Sequence, residues 1–343
     1  MNLETFLLIV LAFVVAAALT GLTRRLALAH RVLDVPNERS SHAVPMPRGG
    51  GIATVIANTV AMGLLALLDI VPGAVFAAAG IGGLAIAAVG FLDDRQRLSA
   101  GVRLLVHVSA ALWALAWLGG LPPLQFGEQV FVPGWMGYVL GVLGIVWTLN
   151  LFNFMDGIDG IAASEAVFIA CAAALTHWWI DGAVAVPAVA WVFGAACLGF
   201  LVWNWPPAKI FMGDVGSGYM GFIIAVLAIT AARENPVALL IWLIFGAAFF
   251  VDATVTLIRR VARRERAQEA HRSHAYQWLS RRWRSHKRVT IAIVGLNLAW
   301  LFPCGLLAAK YPVLAGWIAL GALSPVILAA ILVGAGRPES PAA

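Results

Sequence analysis

The stretch Phe6-Leu7-Leu8-Ile9-Val10-Leu11-Ala12-Phe13-Val14-Val15-Ala16-Ala17-Ala18-Leu19-Thr20-Gly21-Leu22 carries no charge over its whole length. A run of this kind is close to the ~20 apolar residues that cross a bilayer core. Glu4 is the only charge ahead of it, so it lacks the basic n-region of a signal peptide and also a cleavage site; it reads as a first membrane span. The pattern recurs along the chain. Apolar runs predict about eleven spans, at 5–22, 52–71, 75–92, 102–119, 136–151, 161–180, 186–203, 219–231, 237–258, 289–308 and 313–333. The expected fold is therefore an all-α, polytopic membrane protein, with 1–343 forming a single transmembrane domain.

Composition agrees. Hydrophobic residues make up 62% of the chain and charged residues 12%, against about 25% charged in soluble domains. So few charges cannot cover a water-facing surface. Cys171, Cys197 and Cys304 all sit in apolar runs without CxxC spacing, which implies neither a disulfide framework nor a zinc site.

Eleven spans put the loops alternately on two sides. Of 23 Lys and Arg residues, Arg233 and Lys310 fall on one side and the other 21 (23 minus 2) on or beside the other. The Lys/Arg-rich side is expected to be cytoplasmic, with the N-terminus outside and the C-terminus inside. The net charge of +6 thus belongs to topology. Much of it lies in a basic loop at 259–288, which predicts contact with anionic lipid or phosphates. Tethered between two spans, that loop does not point to nucleic acid. Trp113, Trp117, Trp147, Trp178, Trp179, Trp203 and Trp205 lie mostly near span ends, as in an interfacial belt.

The expected cytoplasmic loops hold the chemistry. They read Asn37-Glu38-Arg39-Ser40-Ser41-His42 and Pro45-Met46-Pro47-Arg48-Gly49-Gly50-Gly51, then Gly90-Phe91-Leu92-Asp93-Asp94-Arg95. Next come Asn150-Leu151-Phe152-Asn153-Phe154-Met155-Asp156-Gly157-Ile158-Asp159-Gly160 and Lys209-Ile210-Phe211-Met212-Gly213-Asp214-Val215-Gly216-Ser217-Gly218. The last is His271-Arg272-Ser273-His274-Ala275-Tyr276-Gln277. Asp93, Asp94, Asp156, Asp159 and Asp214 all fall at span ends, where ionised groups are costly and usually functional. Converging carboxylates need a cation, and an oxygen-rich, histidine-poor set suits Mg²⁺ together with substrate phosphates. The glycine-rich loops at 48–51 and 213–218 each lead into a span and let backbone N–H groups approach an anion. Neither matches a P-loop or a dinucleotide fingerprint. Asp252, within the ninth span, is expected to pair with an arginine such as Arg259 or to line the site.

Taken together and in order, these motifs resemble the polyprenyl-phosphate N-acetylhexosamine-1-phosphate transferase superfamily, glycosyltransferase family 4. The superfamily includes WecA- and WbpL-type enzymes of surface-polysaccharide synthesis and MraY of peptidoglycan synthesis. The segment at 90–95 is similar to the family's paired-aspartate motif, 150–160 to NxxNxxDGxDG and 211–218 to FxGDxGS. The resemblance implies a Mg-dependent glycosyl-1-phosphate transfer, with Mn²⁺ as a substitute. A UDP-N-acetyl amino sugar (GlcNAc, FucNAc or QuiNAc type) and undecaprenyl phosphate would give undecaprenyl-diphospho-sugar and UMP, initiating O-antigen or other cell-surface polysaccharide synthesis.

It implies Asp93 and Asp94 as catalytic residues, Asp93 as base or nucleophile. Asp214, Asp94 and Asp156 become metal ligands. Arg48, Asn150, Asn153, Asp156, Asp159, Lys209, His271, Arg272 and His274 become substrate-binding. It places the protein in a bacterial inner membrane with its site on the cytoplasmic face, among membrane lipid, and is compatible with a homodimer. MraY carries consecutive histidines where this chain has His271-Arg272-Ser273-His274, which favours the polysaccharide branch over a peptidoglycan-type transferase. A transporter or flippase would instead place its charges at the membrane midplane.

Overall fold

The computed structural model describes residues 2–36, 44–96, 98–182, 184–265 and 271–338. The 37–42 segment quoted above, and 266–270 of the basic loop, lie outside the described residues. The helices, in order, are α1 (Leu3–Ala29), α2 (Gly51–Leu67), α3 (Gly73–Gln96), α4 (Ala100–Leu118), α5 (Met136–Met155), α6 (Ile161–Asp181), α7 (Ala185–Asn204) and α8 (Asp214–Glu234). They continue with α9 (Ala238–Phe245), α10 (Ala247–Ala262), α11 (Ala275–Trp283), α12 (His286–Lys310) and α13 (Pro312–Val333). The protein is predominantly helical but not purely so. A two-stranded antiparallel ribbon pairs Leu33–Asp34 with Met46–Pro47, and another pairs Leu124–Phe126 with Gln129–Phe131.

Among the described residues, nine helices are long and apolar enough to cross a membrane, and the chain is a multi-pass membrane protein. Two of the eleven expected spans differ from simple crossings. Helix α2 holds only 17 residues. Its apolar run is cut where Asp69 takes a φ of 54°, a left-handed conformation that ends a helix, ahead of Pro72. The run at 237–258 is two helices, α9 and α10, bent by 78°. Gly246 sits at the break, where a Cβ would meet the Phe250 ring at 2.8 Å.

Local chemistry sets the helix ends. The Asn2 side chain accepts from the Thr5 N–H at the start of α1, and Ser99 accepts from the Val102 N–H at the start of α4. Helix α8 is the centre of the molecule, enclosed by α2, α3, α5, α7 and α9. Its 18-residue apolar window is 100% buried, against 33% for α1 and 22% for α13. Such a helix is apolar all round, as a core helix must be. The N-terminus of α8 carries Asp214, and Gly90 on α3 packs directly against it. A Cβ at Gly90 would meet the Asp214 carbonyl oxygen at 2.5 Å and the Val215 nitrogen at 2.7 Å. Only glycine admits that approach, so the paired aspartates that follow Gly90 are delivered to the start of α8.

Candidate active site

Four segments converge at the N-terminus of α8. Gly213 has a φ of +79°, which turns the chain into the helix. The Asp94 carboxylate accepts from the Asp214 N–H at 3.0 Å and the Val215 N–H at 3.3 Å, so an acid on α3 caps the positive end of α8. The Arg48 guanidinium, entering from the loop before α2, lies 2.7 Å from Asp94 and 3.1 Å from Asp214. It occupies the position between two carboxylates where a cation is expected.

Asp93 faces the other way. Its Oδ2 forms an ion pair with Arg103 of α4 at 2.7 Å, and its Oδ1 accepts from the Leu98 N–H at 2.6 Å. Asn153, on the last turn of α5, donates to Ser217 at 3.1 Å. Asp156 follows as the C-cap of α5. Burial pushes its carboxyl well above the usual carboxylate range, and the negative charge of Asp214 pushes it further.

These residues separate two chambers. The first is a polar cavity of about 350 Å³, lined by Asp34, Arg48, Asn153, Asp156, Asp159, Asp214 and Ser217 together with Arg272, Gln277, Ser280 and Arg281. The second is a groove of about 390 Å³ between α3, α4 and α5. Its walls are Ile86, Val89, Leu104, Leu143, Val146 and Trp147, and its polar end holds Asp93, Arg103, His107 and Asn150. Asn153 and Asp214 line both.

One wall of the polar cavity depends on Asp252. It does not pair with Arg259, whose Nη1 donates to the Ala335 carbonyl at 2.7 Å. Asp252 instead accepts from the backbone N–H groups of Ala275 (2.8 Å) and Tyr276 (3.0 Å), with His274 Nδ1 at 3.3 Å. It staples the N-terminus of α11 to α10 and so aims Gln277, Ser280 and Arg281 at the cavity. The Tyr276 hydroxyl donates to the Phe154 carbonyl at 3.0 Å, fixing α11 against the loop that carries Asp156.

Several expected residues lie elsewhere. Lys209 does not line the cavity; its Nζ sits 5.6 Å from the centre of a Trp203 ring. His274 is buried against Asp252, and His271 packs on it with ring centres 4.9 Å apart, so neither imidazole lines either chamber. Asp159 does line the cavity, but its oxygens face His286 Nδ1 at 3.2 Å and the Ala208 N–H at 3.0 Å. Asp94 serves Arg48 and the amides of α8 rather than the cavity wall. Sequence reasoning gave no role to Arg103 or Asp34, and held Ser217 only as part of the 211–218 motif and Arg281 only as part of the basic loop. An arginine one turn into the helix after the paired aspartates was the available signal for Arg103.

Among the described residues no three His, Cys, Asp or Glu side chains form a ready-made cage. Mg²⁺ asks for less, one or two carboxylates plus substrate phosphates. Asp156 and Asp214 face the same cavity and repel each other, a crowding that a cation relieves. The residues present fit the ion.

This arrangement defines a class: a multi-pass helical membrane protein whose acid-rich polar chamber and apolar groove open onto shared side chains. Residues 76–232 match the model of glycosyl transferase family 4. The chain is 32% identical over 304 residues (84% of it, 82% of the relative) to a probable undecaprenyl-phosphate N-acetylglucosaminyl 1-phosphate transferase of Bacillus subtilis (strain 168). It is 30% identical over 303 residues (80% of it, 76% of the relative) to a decaprenyl-phosphate N-acetylglucosaminephosphotransferase of Mycobacterium leprae (strain TN). A phospho-N-acetylmuramoyl-pentapeptide-transferase of Mycobacterium sp. (strain KMS) is 32% identical over 227 residues, covering 55% of this chain and 61% of the relative. The chain belongs to glycosyl transferase family 4.

Proposed function

We propose that this protein transfers a sugar-1-phosphate from a UDP-N-acetyl amino sugar to undecaprenyl phosphate, with Mg²⁺, at the cytoplasmic face of a bacterial inner membrane. The observation that carries the reading is the meeting of a polar and an apolar chamber at Asn153 and Asp214. One substrate is a hydrophilic diphosphate and the other a phosphate on a long hydrocarbon, and each chamber suits one of them.

The groove takes the polyprenyl tail between α3, α4 and α5, and brings its phosphate to the end that holds Asp93 and Arg103. Arg103 offers that phosphate a guanidinium. The phosphate monoester is already an anionic oxygen nucleophile, so the protein's task is chiefly positioning and charge compensation. One of its oxygens attacks the sugar-bearing phosphorus of the donor. The P–O bond of the diphosphate bridge breaks, and UMP leaves with that oxygen. Asp93 accepts the residual proton where the monoester still carries one. Arg48, Arg272 and Arg281 face the donor's diphosphate and sugar from the polar side. Asp156 and Asp214 would hold Mg²⁺, which when bound neutralises the diphosphate and stabilises departing UMP.

The relatives' names support an amino sugar of the GlcNAc class. A FucNAc or QuiNAc donor and a role in starting O-antigen belong to the same proposal. Sidedness rests on the distribution of Lys and Arg. Purified protein given UDP-N-acetyl amino sugars, undecaprenyl phosphate and Mg²⁺ should release UMP, and chelation should stop it. UMP release that persists in both Asp93→Asn and Asp214→Asn would remove the site assignment. Cysteine labelling of the 259–265 segment from the outer side of intact cells would overturn the orientation.

A further inference from the structure

Beside the polar cavity, and sharing Asp159, Arg272, Ser280 and Arg281 with it, lies a third hollow of about 560 Å³ that Arg284 and Lys287 also line. Four of its side chains are permanent cations. Asp159, which lies 3.2 Å from His286 Nδ1 and accepts from the Ala208 amide, is the one carboxylate among the lining residues, so the lining carries four cations against one anion. Arg281 is held in place by stacking on Trp278, with its guanidinium carbon 4.4 Å from the ring centre. Arg284, at the end of α11, takes a left-handed conformation (φ 48°). It lies at the turn into α12, a helix that begins at His286 and runs on as a candidate span to Lys310.

The depth of this hollow follows from its walls. Ser285, His286 and Lys287 line it at the start of a candidate spanning helix, and Pro206 and Pro207 line it just beyond the end of α7. Trp205 and Trp283, each one residue before a lining residue of the hollow, are both 37% exposed, as interfacial aromatics are. The hollow therefore sits at headgroup level. Basic pockets between spans at that depth are suited to anionic lipid headgroups.

We propose that this vestibule is a phosphate-anion site filled by the phosphodiester headgroup of an anionic phospholipid from the surrounding bilayer. Arg284 and Lys287 are the residues it adds to the molecule, since neither lines the polar cavity. Arg272 and Arg281 line both hollows, so an occupied vestibule places a fixed anion behind two cations of the donor cavity. The binding claim needs the membrane placement of α12 and does not depend on the transferase reading.

The test is native mass spectrometry of the delipidated full-length protein with phosphatidylglycerol or phosphatidylcholine. Wild type should retain phosphatidylglycerol in preference to phosphatidylcholine. Arg284→Ala combined with Lys287→Ala should weaken retention roughly 30-fold, from the loss of two interfacial cations. The charge-preserving pair Arg284→Lys and Lys287→Arg should keep it, which separates binding from folding. Equal retention of the two lipids, or undiminished phosphatidylglycerol on the double alanine variant, overturns the site. Displacement of phosphatidylglycerol by an equal concentration of inorganic phosphate assigns the anion to a soluble source and overturns the lipid assignment. Failure of UMP release leaves these outcomes unchanged, so the two proposals fail separately.

Discussion

Arg103 reaches across from α4 to hold Asp93 at 2.7 Å. The residue expected to act as base is thus one half of an ion pair, with its second oxygen on the Leu98 amide. That geometry fixes the direction of the carboxylate as well as its charge. Asp93→Asn should lower kcat for UMP release by about 10²-fold or more, the range for losing a positioned base. Arg103→Lys should retain more activity than Arg103→Gln, and steady-state kinetics against undecaprenyl phosphate would check both. Equal activity in the two Arg103 variants would deny the pairing a role.

Arg48 compensates Asp94 and Asp214 together. Arg48→Ala leaves two partly buried carboxylates facing each other, at a cost of about 1–3 kcal/mol. The expected result is a lower Tm without divalent ions and partial recovery when Mg²⁺ is added, beyond any recovery in wild type. Thermal unfolding by intrinsic fluorescence in detergent, with and without chelator, reads this directly.

Asp252 secures α11 through two amides and His274. Asp252→Ala removes a cap and leaves buried donors unmet, which costs about 2–4 kcal/mol. Faster hydrogen exchange at 275–283 and a raised KM for the nucleotide sugar should appear together. A change in exchange confined to other helices would contradict the assignment.

Gly90→Ala should collapse the yield of folded protein, because its Cβ would overlap the backbone of Asp214 and Val215. Gly101→Ala is the matched control: nothing lies within 4 Å of its Cβ, and helix propensity favours alanine by up to about 1 kcal/mol. Size-exclusion profiles of the two variants should differ sharply.

His271 is pushed down to about 4, first by burial and then by the neighbouring charges of His274 and Arg260. A histidine whose folded value lies below its unfolded one contributes stability above pH 6.5, and that contribution is lost as pH falls toward 4. His271→Gln should therefore flatten the fall in Tm between pH 6.5 and 4 relative to wild type.

The apolar runs and the ordered acid motifs were legible because they are local: length marks a span, and spacing places acids at its end. What escaped was what depends on the neighbour across the fold. A run of apolar residues looks the same whether it is straight or bent by 78° at Gly246. Asp252 and Arg259 are two turns apart on one helical face, yet Asp252 accepts from Thr256 and from groups 22 to 24 residues on. His271 and His274 were expected to bind substrate, but α11 sets His274 against Asp252, and His271 stacks on it. Lys209 opens the 209–218 string of motif residues, but its ammonium lies over the Trp203 ring.

Helix α8, which carries Asp214, is walled off from hydrocarbon along its whole apolar window. A bilayer that thickens or thins pulls on the helices that touch it, and the cost is met by their tilt. The outer helices α1, α12 and α13 would absorb that adjustment, while the centre of the molecule keeps its height. An enzyme built in this way tolerates membranes of different acyl length without retuning its chemistry, as a lamp on gimbals stays level in a rolling ship.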